Sequence, residues 1–359
     1  MNRLPVASVR SFCEEIFSRM GFTAEEAFRI TDVLLLADLY GIESHGVQRL
    51  IRYHNSVKAG STHVGSRPEV VFESPVSAVI DGRDGMGQLI AWEAAELAIR
   101  KAKSAGMAIV TVRTSNHFGI AGYYTKMAAD AGLIGLAMTN TEPIMVHTHA
   151  SAPILGTNPI AMAVPAQPYP FWFDAATTVV PRGKLEVYNK QQKAMPDNWA
   201  VDENGVPCTD ASRVLDNIIA HRGGGILPVG GAEEASGSHK GYGFAMMCEI
   251  FTAILSGGAT SNQHVRRPGH GAGTCHCFMV IDPAAFGDAE GMIRRMSQLL
   301  TDLRSARKAE GAEHIYTHGE KEAHIYEENL REGIRVNEKT LAEMQSIAAE
   351  LGVDFNQYF

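Results

Sequence analysis

The chain has 359 residues, of which 45% are hydrophobic and 20% charged, and its formal net charge is −8. That length leaves room for about two domains of ordinary size, and the composition supports a large core and argues against a disordered chain. Nucleic acid or an anionic membrane would want a basic face, which a chain of this charge does not offer, whereas a small anionic substrate needs only a few local arginines.

The N-terminal seventy residues read as helices. "VASVRSFCEEIFSRM" carries apolar residues at three-to-four spacing up to Gly21, and "TAEEAFRITDVLLLADLYG" opens with Thr23 and Glu26 as a capping box and closes at Gly41. A third helix is expected in "GVQRLIRYHNSVKAG". Glu14 and Glu15 interrupt what a secretion signal would need, and no run approaches ~18 apolar residues. From Pro68 the period falls to two in "VVFESPVSAVIDG", which predicts strands. Helix and strand then alternate: "QLIAWEAAELAIRKAKSAG", "MAIVTVR", "GIAGYYTKMAADAG", "LIGLAMTN". This is an α/β pattern whose strand directions stay open. Short strands follow in "IAMAVPA" and "PFWFDAA". The glycine-dense 221–243 stretch reads as a long loop feeding a buried helix, "FAMMCEIFTAILSG". "CHCFMVIDP" is a strand, and the remainder is helical and more charged. The five cysteines are odd in number, and Cys275 and Cys277 sit two apart on one strand, so reduced thiols in a soluble cytoplasmic protein are expected.

Glycine motifs give no ordinary dinucleotide fingerprint. Gly85 and Gly87 precede a helix, but Ile90 stands where the third glycine belongs, and "GHGAGT" leads into a strand. The polar clusters are more informative. Ser44, His45 and Arg49 fall at a helix start, with His45 and Arg49 four apart. A guanidinium can take a carboxylate while an imidazole exchanges a proton with the neighbouring oxygen; a capped helix with a solvated arginine would look the same. His117 in "RTSNHFGIAGYY" is the other proton-handling candidate, unless backbone alone satisfies it. Asp174 in "FDAATT" could orient a histidine, and Lys240 in "SHKGYG" could meet a cofactor phosphate at a helix N-terminus. His147-x-His149 and the His270/His276 pair raise a metal reading, as in a hydrolase or lyase, but no zinc spacing accompanies them, and no metal is expected.

Taken in order, "GIESHGVQRL", "SNHFGIAGYY", "ILGTNPIAMAVP", "FDAATT", "WAVDENGVP" and "SHKGYGFAMMCEIFTAILSGG" resemble the malate/L-lactate dehydrogenase family of the non-Rossmann type, whose relatives include ureidoglycolate, sulfolactate and diketogulonate-type reductases. The resemblance runs from about Val6 to the C-terminal helices. It implies an α/β fold with a mixed-sheet nicotinamide-binding domain over residues 76–309 and a mainly helical domain formed from both chain ends, 1–75 and 310–359. It implies NAD or NADP as cofactor, a small anionic 2-hydroxy or 2-oxo acid such as malate or lactate as substrate, and a homodimer or dimer of dimers with the active site near the interface. His117 matches the acid/base of some members and His45 that of others. Arg49 matches the substrate-carboxylate arginine, with Asp174 and Ser44 as supports for His45. Thr141, Asp174, Ala175, Ala176, Lys240, Gly319 and Glu320 match cofactor positions. Thr141-Glu142 stands where relatives often carry serine and aspartate, and the lysine-rich 186–198 tract lies where relatives vary. A related substrate such as ureidoglycolate, diketogulonate or a cyclic imino acid therefore stays open, as does a nicotinamide-binding role without catalysis.

Overall fold

The structure, a computed structural model, describes residues 2–264 and 268–359. β1 (Asn2–Leu4) leads into α1 (Val6–Arg19), α2 (Ala24–Leu39) and α3 (Leu50–Lys58). The chain then forms β2 (Glu69–Glu73), β3 (Ser77–Asp81), α4 (Gly87–Ala105), β4 (Met107–Ser115), α5 (Ala121–Asp130), β5 (Ile134–Thr139), β6 (Ile160–Val164) and β7 (Phe171–Ala175). A small lobe contains α6 (Arg182–Lys190), β8 (Ala200–Val201), α7 (Ala211–Ala220) and β9 (Gly225–Ile226). Next come α8 (Ser238–Glu249), β10 (Thr274–Ile281), α9 (Ala289–Ser305), α10 (Glu320–Glu332), β11 (Ile334–Val336) and α11 (Glu338–Leu351).

Seven strands make one mixed sheet in the order β2-β3-β4-β10-β5-β6-β7, in which β3 and β4 are parallel and every other neighbour is antiparallel. Because β10 runs antiparallel between β4 and β5, the C-terminal ends of β3, β4, β5 and β7 share one edge of the sheet with the N-terminal ends of β6 and β10. Alternation along β10 sends Phe278 and Val280 into a core with α4 and α5, and Cys277 and Met279 into a second core with Cys248 and Phe251. The buried alanines of α4, among them Ala91, Ala94, Ala95 and Ala98, let it lie close on the sheet.

The helical layer draws on both chain ends. β1 pairs with β11, and Phe12, Ile16 and Leu34 share a core with Met344, Ile347 and Ala348. The Thr23–Glu26 capping box forms as the sequence predicts, Glu26 Oε2 accepting from Thr23 N–H at 2.8 Å. Trp172 joins this layer to the sheet: its indole packs on Tyr40 and its Nε1 donates to Gly122 O at 2.9 Å.

Two expectations are corrected here. The "FAMMCEIFTAILSG" helix is buried on one side only, leaving Phe244, Met246, Met247, Ile250, Ile254 and Leu255 between 42% and 61% exposed. It also loosens into a π-turn over Ile250–Ile254. The 221–243 loop is shorter than read, because α8 already begins at Ser238 and puts Lys240 in its first turn. Trp172→Ala should lower stability by about 3–5 kcal/mol through the cavity it leaves, measured as a fall in the denaturant midpoint at unchanged slope.

Candidate active site

His117 lies in the turn between β4 and α5, at the sheet edge described above. The turn is wedged between two helices: a Cβ on Gly87, the first residue of α4, would meet His117 O at 2.4 Å, and one on Gly119 would meet Val33 Cγ1 of α2 at 2.5 Å. Gly119 also needs its φ of +85°, which glycine adopts without strain. Tyr53 Oη of α3 is 2.7 Å from His117 Nδ1, and the His45 ring stacks on His117 with centroids 5.5 Å apart.

His45 and Arg49 do not share a helix face, as their spacing had implied. Residues 43–45 and 47–49 are separate 3-10 turns, broken at Gly46. The cause lies beneath them. Buried Asp38 accepts from Val47 N–H at 2.8 Å, and its carboxylate fills the space where a Cβ on Gly46 would sit, 1.8 Å from Oδ1. Ser44 Oγ lies 2.9 Å from His45 Nδ1, and Arg49 Nε donates to Ser44 O at 2.6 Å. The fold thus gathers Ser44, His45, Arg49, Tyr53 and His117 into one site. Arg52 joins them by its charge.

Electrostatics follow from burial and these guanidiniums. Burial first, then Arg52, His45 and Arg49, push His117 well below the ordinary imidazole range. Burial with Arg49 and Arg52 brings His45 to about 4. Both imidazoles are therefore neutral at rest beside two cations, an arrangement that attracts an anionic substrate and leaves a base ready for its hydroxyl proton. Burial raises Asp38 to about 8 against the pull of Val47 N–H.

Asp174 is a correction. Its carboxylate accepts from Gly122 N–H at 2.7 Å, capping the first turn of α5, so it steadies the turn that carries His117 instead of orienting His45. Burial raises it to about 6 despite that bond. Gly319 and Glu320 are also engaged otherwise than the sequence implied. A Cβ on Gly319 would lie 3.0 Å from Pro170 O, while Glu320 Oε2 accepts from Thr317 N–H and Oε1 meets His314. Both hold α10 against β7. His276 is a core residue between Thr139 Oγ1 (2.8 Å) and Ser115 Oγ (2.9 Å), and His270 pairs with Asp84. Neither histidine is left for a metal.

Thr141 follows β5, and Ala175 and Ala176 end β7, along the same sheet edge as His117. Thr141 Oγ1 accepts from Thr157 N–H at 3.0 Å. Around the first turn of α8, the Lys240 ammonium is exposed and without a partner among the described residues. Nearby, His147 Nδ1 and Thr178 Oγ1 are buried polar atoms with no hydrogen bond. His147 packs on Tyr242 of that helix, and Thr178 bridges Pro228 beside it. A helix N-terminus with a free ammonium and unsatisfied polar atoms fits the diphosphate and ribose of a nicotinamide dinucleotide.

Sequence reading missed Tyr53, Arg52 and Asp38, although Arg52 and Tyr53 stand three and four positions after Arg49. It also missed a buried polar network at the sheet edge, where Glu249 accepts from Asn158 Nδ2 at 2.8 Å and from Asn140 Nδ2 and Ser261 N–H at 3.2 Å. Single polar residues inside apolar runs carry no spacing signal for such a network.

Residues 4–345 match the malate/L-lactate dehydrogenase family model. The chain is 42% identical to malate dehydrogenase of Pyrococcus horikoshii over 98% of its own length and 96% of that protein. It is 37% identical to L-sulfolactate dehydrogenase of Methanocaldococcus jannaschii, covering 96% of each. The crystal structure of malate dehydrogenase from Entamoeba histolytica superposes with a TM-score of 0.95 at 32% identity, covering 98% of this chain and 99% of that one.

Asp38 gives a test of the loop support. It keeps its proton in the folded chain up to about 8, whereas an unfolded aspartate loses it near ~4. The folded state binds the extra proton across that window, so stability falls as pH rises through it. Asp38→Asn keeps an acceptor oxygen but does not titrate, so its melting temperature should decline less between pH ~5 and ~8 than that of the parent. Equal slopes would remove Asp38 as the titrating support.

Proposed function

The chain belongs to the malate/L-lactate dehydrogenase family and is a 2-hydroxyacid dehydrogenase, and we propose that His117 is its general acid/base and Arg49 its carboxylate clamp. The stacking of neutral His117 on His45 beside two guanidiniums is the observation that carries this reading. In the oxidation direction Arg49 holds the carboxylate of the 2-hydroxy acid, and His117 takes the hydroxyl proton as C2 becomes a carbonyl carbon. In reduction the imidazolium returns that proton. The nicotinamide cofactor supplies or accepts the hydride at its C4 carbon. Lys240 and the first turn of α8 hold its diphosphate, while Thr141, Ala175 and Ala176 let its nicotinamide half approach the sheet edge. Asp174, Gly319 and Glu320 keep the surrounding backbone in place, and Ser44 sets the ring of His45.

Arg52 points to the substrate class. A second guanidinium within electrostatic reach of both histidines suits a 2-hydroxy acid with a second anionic group, as in malate, over lactate. We also assign the exposed apolar side of α8 to a homodimer. A soluble chain rarely leaves such a patch open, and the same helix carries Lys240, which puts the site near that interface. All five cysteines are free and buried, consistent with the reducing cytoplasm, and among the described residues no helix is long and apolar enough to cross a membrane.

Three outcomes test this. His117→Ala should lower kcat by roughly 10²-fold or more, with cofactor binding retained, and His45→Ala by less; the reverse order would move the proton-handling role to His45. Because His117 is held below the ordinary value near ~6.5, kcat/KM for hydroxyacid oxidation should stay level as pH falls through that point. Arg52→Met should lower kcat/KM for malate by roughly 10-fold or more and leave that for lactate nearly unchanged, since a desolvated charge pair is lost only with the diacid. Paired titrations with NADH and NADPH read the cofactor preference in the same assays.

A further inference from the structure

We propose that Gln88 is a positioning residue for proton transfer: its side-chain carbonyl takes the Tyr53 hydroxyl proton, so that the Tyr53 oxygen accepts Nδ1–H of His117 and Nε2 is left to exchange the proton with substrate. The inference rests on the assignment of His117 as acid/base.

A neutral imidazole carries one N–H. For Nε2 to act as the base, that hydrogen must sit on Nδ1, and the group facing Nδ1 must accept it. Tyr53 Oη is that group, 2.7 Å away and buried. An oxygen that accepts from His117 must still place its own proton, and no water reaches it freely there. Gln88 supplies the acceptor. It is the second residue of α4, next to the Gly87 backbone that packs on His117 O, and its side chain interacts with the Tyr53 hydroxyl. Gln88 is fully buried, and neither its amide oxygen nor its amide nitrogen makes a close hydrogen bond among the described residues. A buried amide without partners is costly and rarely kept without use. The chain Nε2 of His117, Nδ1–H to Tyr53, Tyr53 O–H to Gln88 gives that amide its function, as a carboxylate fixes a histidine tautomer elsewhere.

One backbone group opposes this arrangement. Gly119 N–H points at Nδ1 from 3.4 Å, and as a donor it favours the tautomer with hydrogen on Nε2. Tyr53 is closer, so Gln88 decides the balance by deciding whether Tyr53 donates or accepts.

The experiment uses the full chain with 15N-labelled histidine. Gln88→Met removes the acceptor at similar volume, and Gln88→Glu restores one. The parent should show His117 hydrogen on Nδ1 in its two-bond 1H–15N couplings, and Gln88→Met should move it to Nε2. With that shift, kcat for oxidation should fall by roughly ten-fold or more, while KM and cofactor Kd stay within about two-fold. Gln88→Glu should recover most of the rate. Parent tautomer and turnover in Gln88→Met, alongside an inactive His117→Ala, would overturn the role of Gln88 and leave that of His117 standing. An active His117→Ala would instead overturn the acid/base assignment itself. Should Gln88→Met fail to fold, Tyr53→Phe carries the test, because it breaks the same chain one link nearer the ring; a parent tautomer there overturns the proposal.

Discussion

The site hangs on a carboxylate that never reaches solvent. Asp38, in the last turn of α2, accepts from Val47 N–H and lies against Gly46, so the chain breaks there into two short turns and does not run on as a helix. That break turns His45 onto His117 and brings Arg49 Nε back to Ser44 O. The contact also explains why residue 46 is glycine, because any side chain would collide with the carboxylate. Burying an acid without a counter-charge is unfavourable, and the group answers by holding its proton. The fold accepts that cost at one place and gains a fixed loop at the mouth of the site.

The same economy governs the two histidines. Neither is paired with an acid, and each sits among cations, so both stay neutral where a solvent-exposed imidazole would be partly charged. A substrate carboxylate entering between the guanidiniums brings the missing negative charge and raises the basicity of the ring next to it. Proton affinity is thus coupled to occupancy. The ring becomes a better base when there is a hydroxyl to deprotonate.

Much of this was legible in the chain. Helix and strand periods, the capping box at Thr23 and the alternation after residue 88 locate the main elements, because each depends on local spacing and on one buried face. His117, His45 and Arg49 were legible as polar residues beside glycines. What their spacing could not show was the route by which they meet. A four-residue interval implied a shared helix face, whereas a buried acid from the preceding helix broke that helix. Asp174 failed for a related reason: an acid at a strand end can serve a side chain or a backbone, and the position of α5 chose the backbone. Strand direction was equally hidden. The insertion of β10 between β4 and β5 is a long-range event, yet it assembles the edge on which every candidate residue stands.

The helical layer has a temporal implication. Asn329 donates to the carbonyls of Asp38 and Leu39, and β1 has no strand partner until β11 exists. Asp38 and Asn329 are 291 residues apart, so almost the whole polypeptide separates the two halves of this brace. A nascent chain still on the ribosome can build the sheet but lacks the piece that steadies its substrate loop. Competence therefore arrives late and all at once, which spares the cell a half-made oxidoreductase that would bind cofactor before it could turn over.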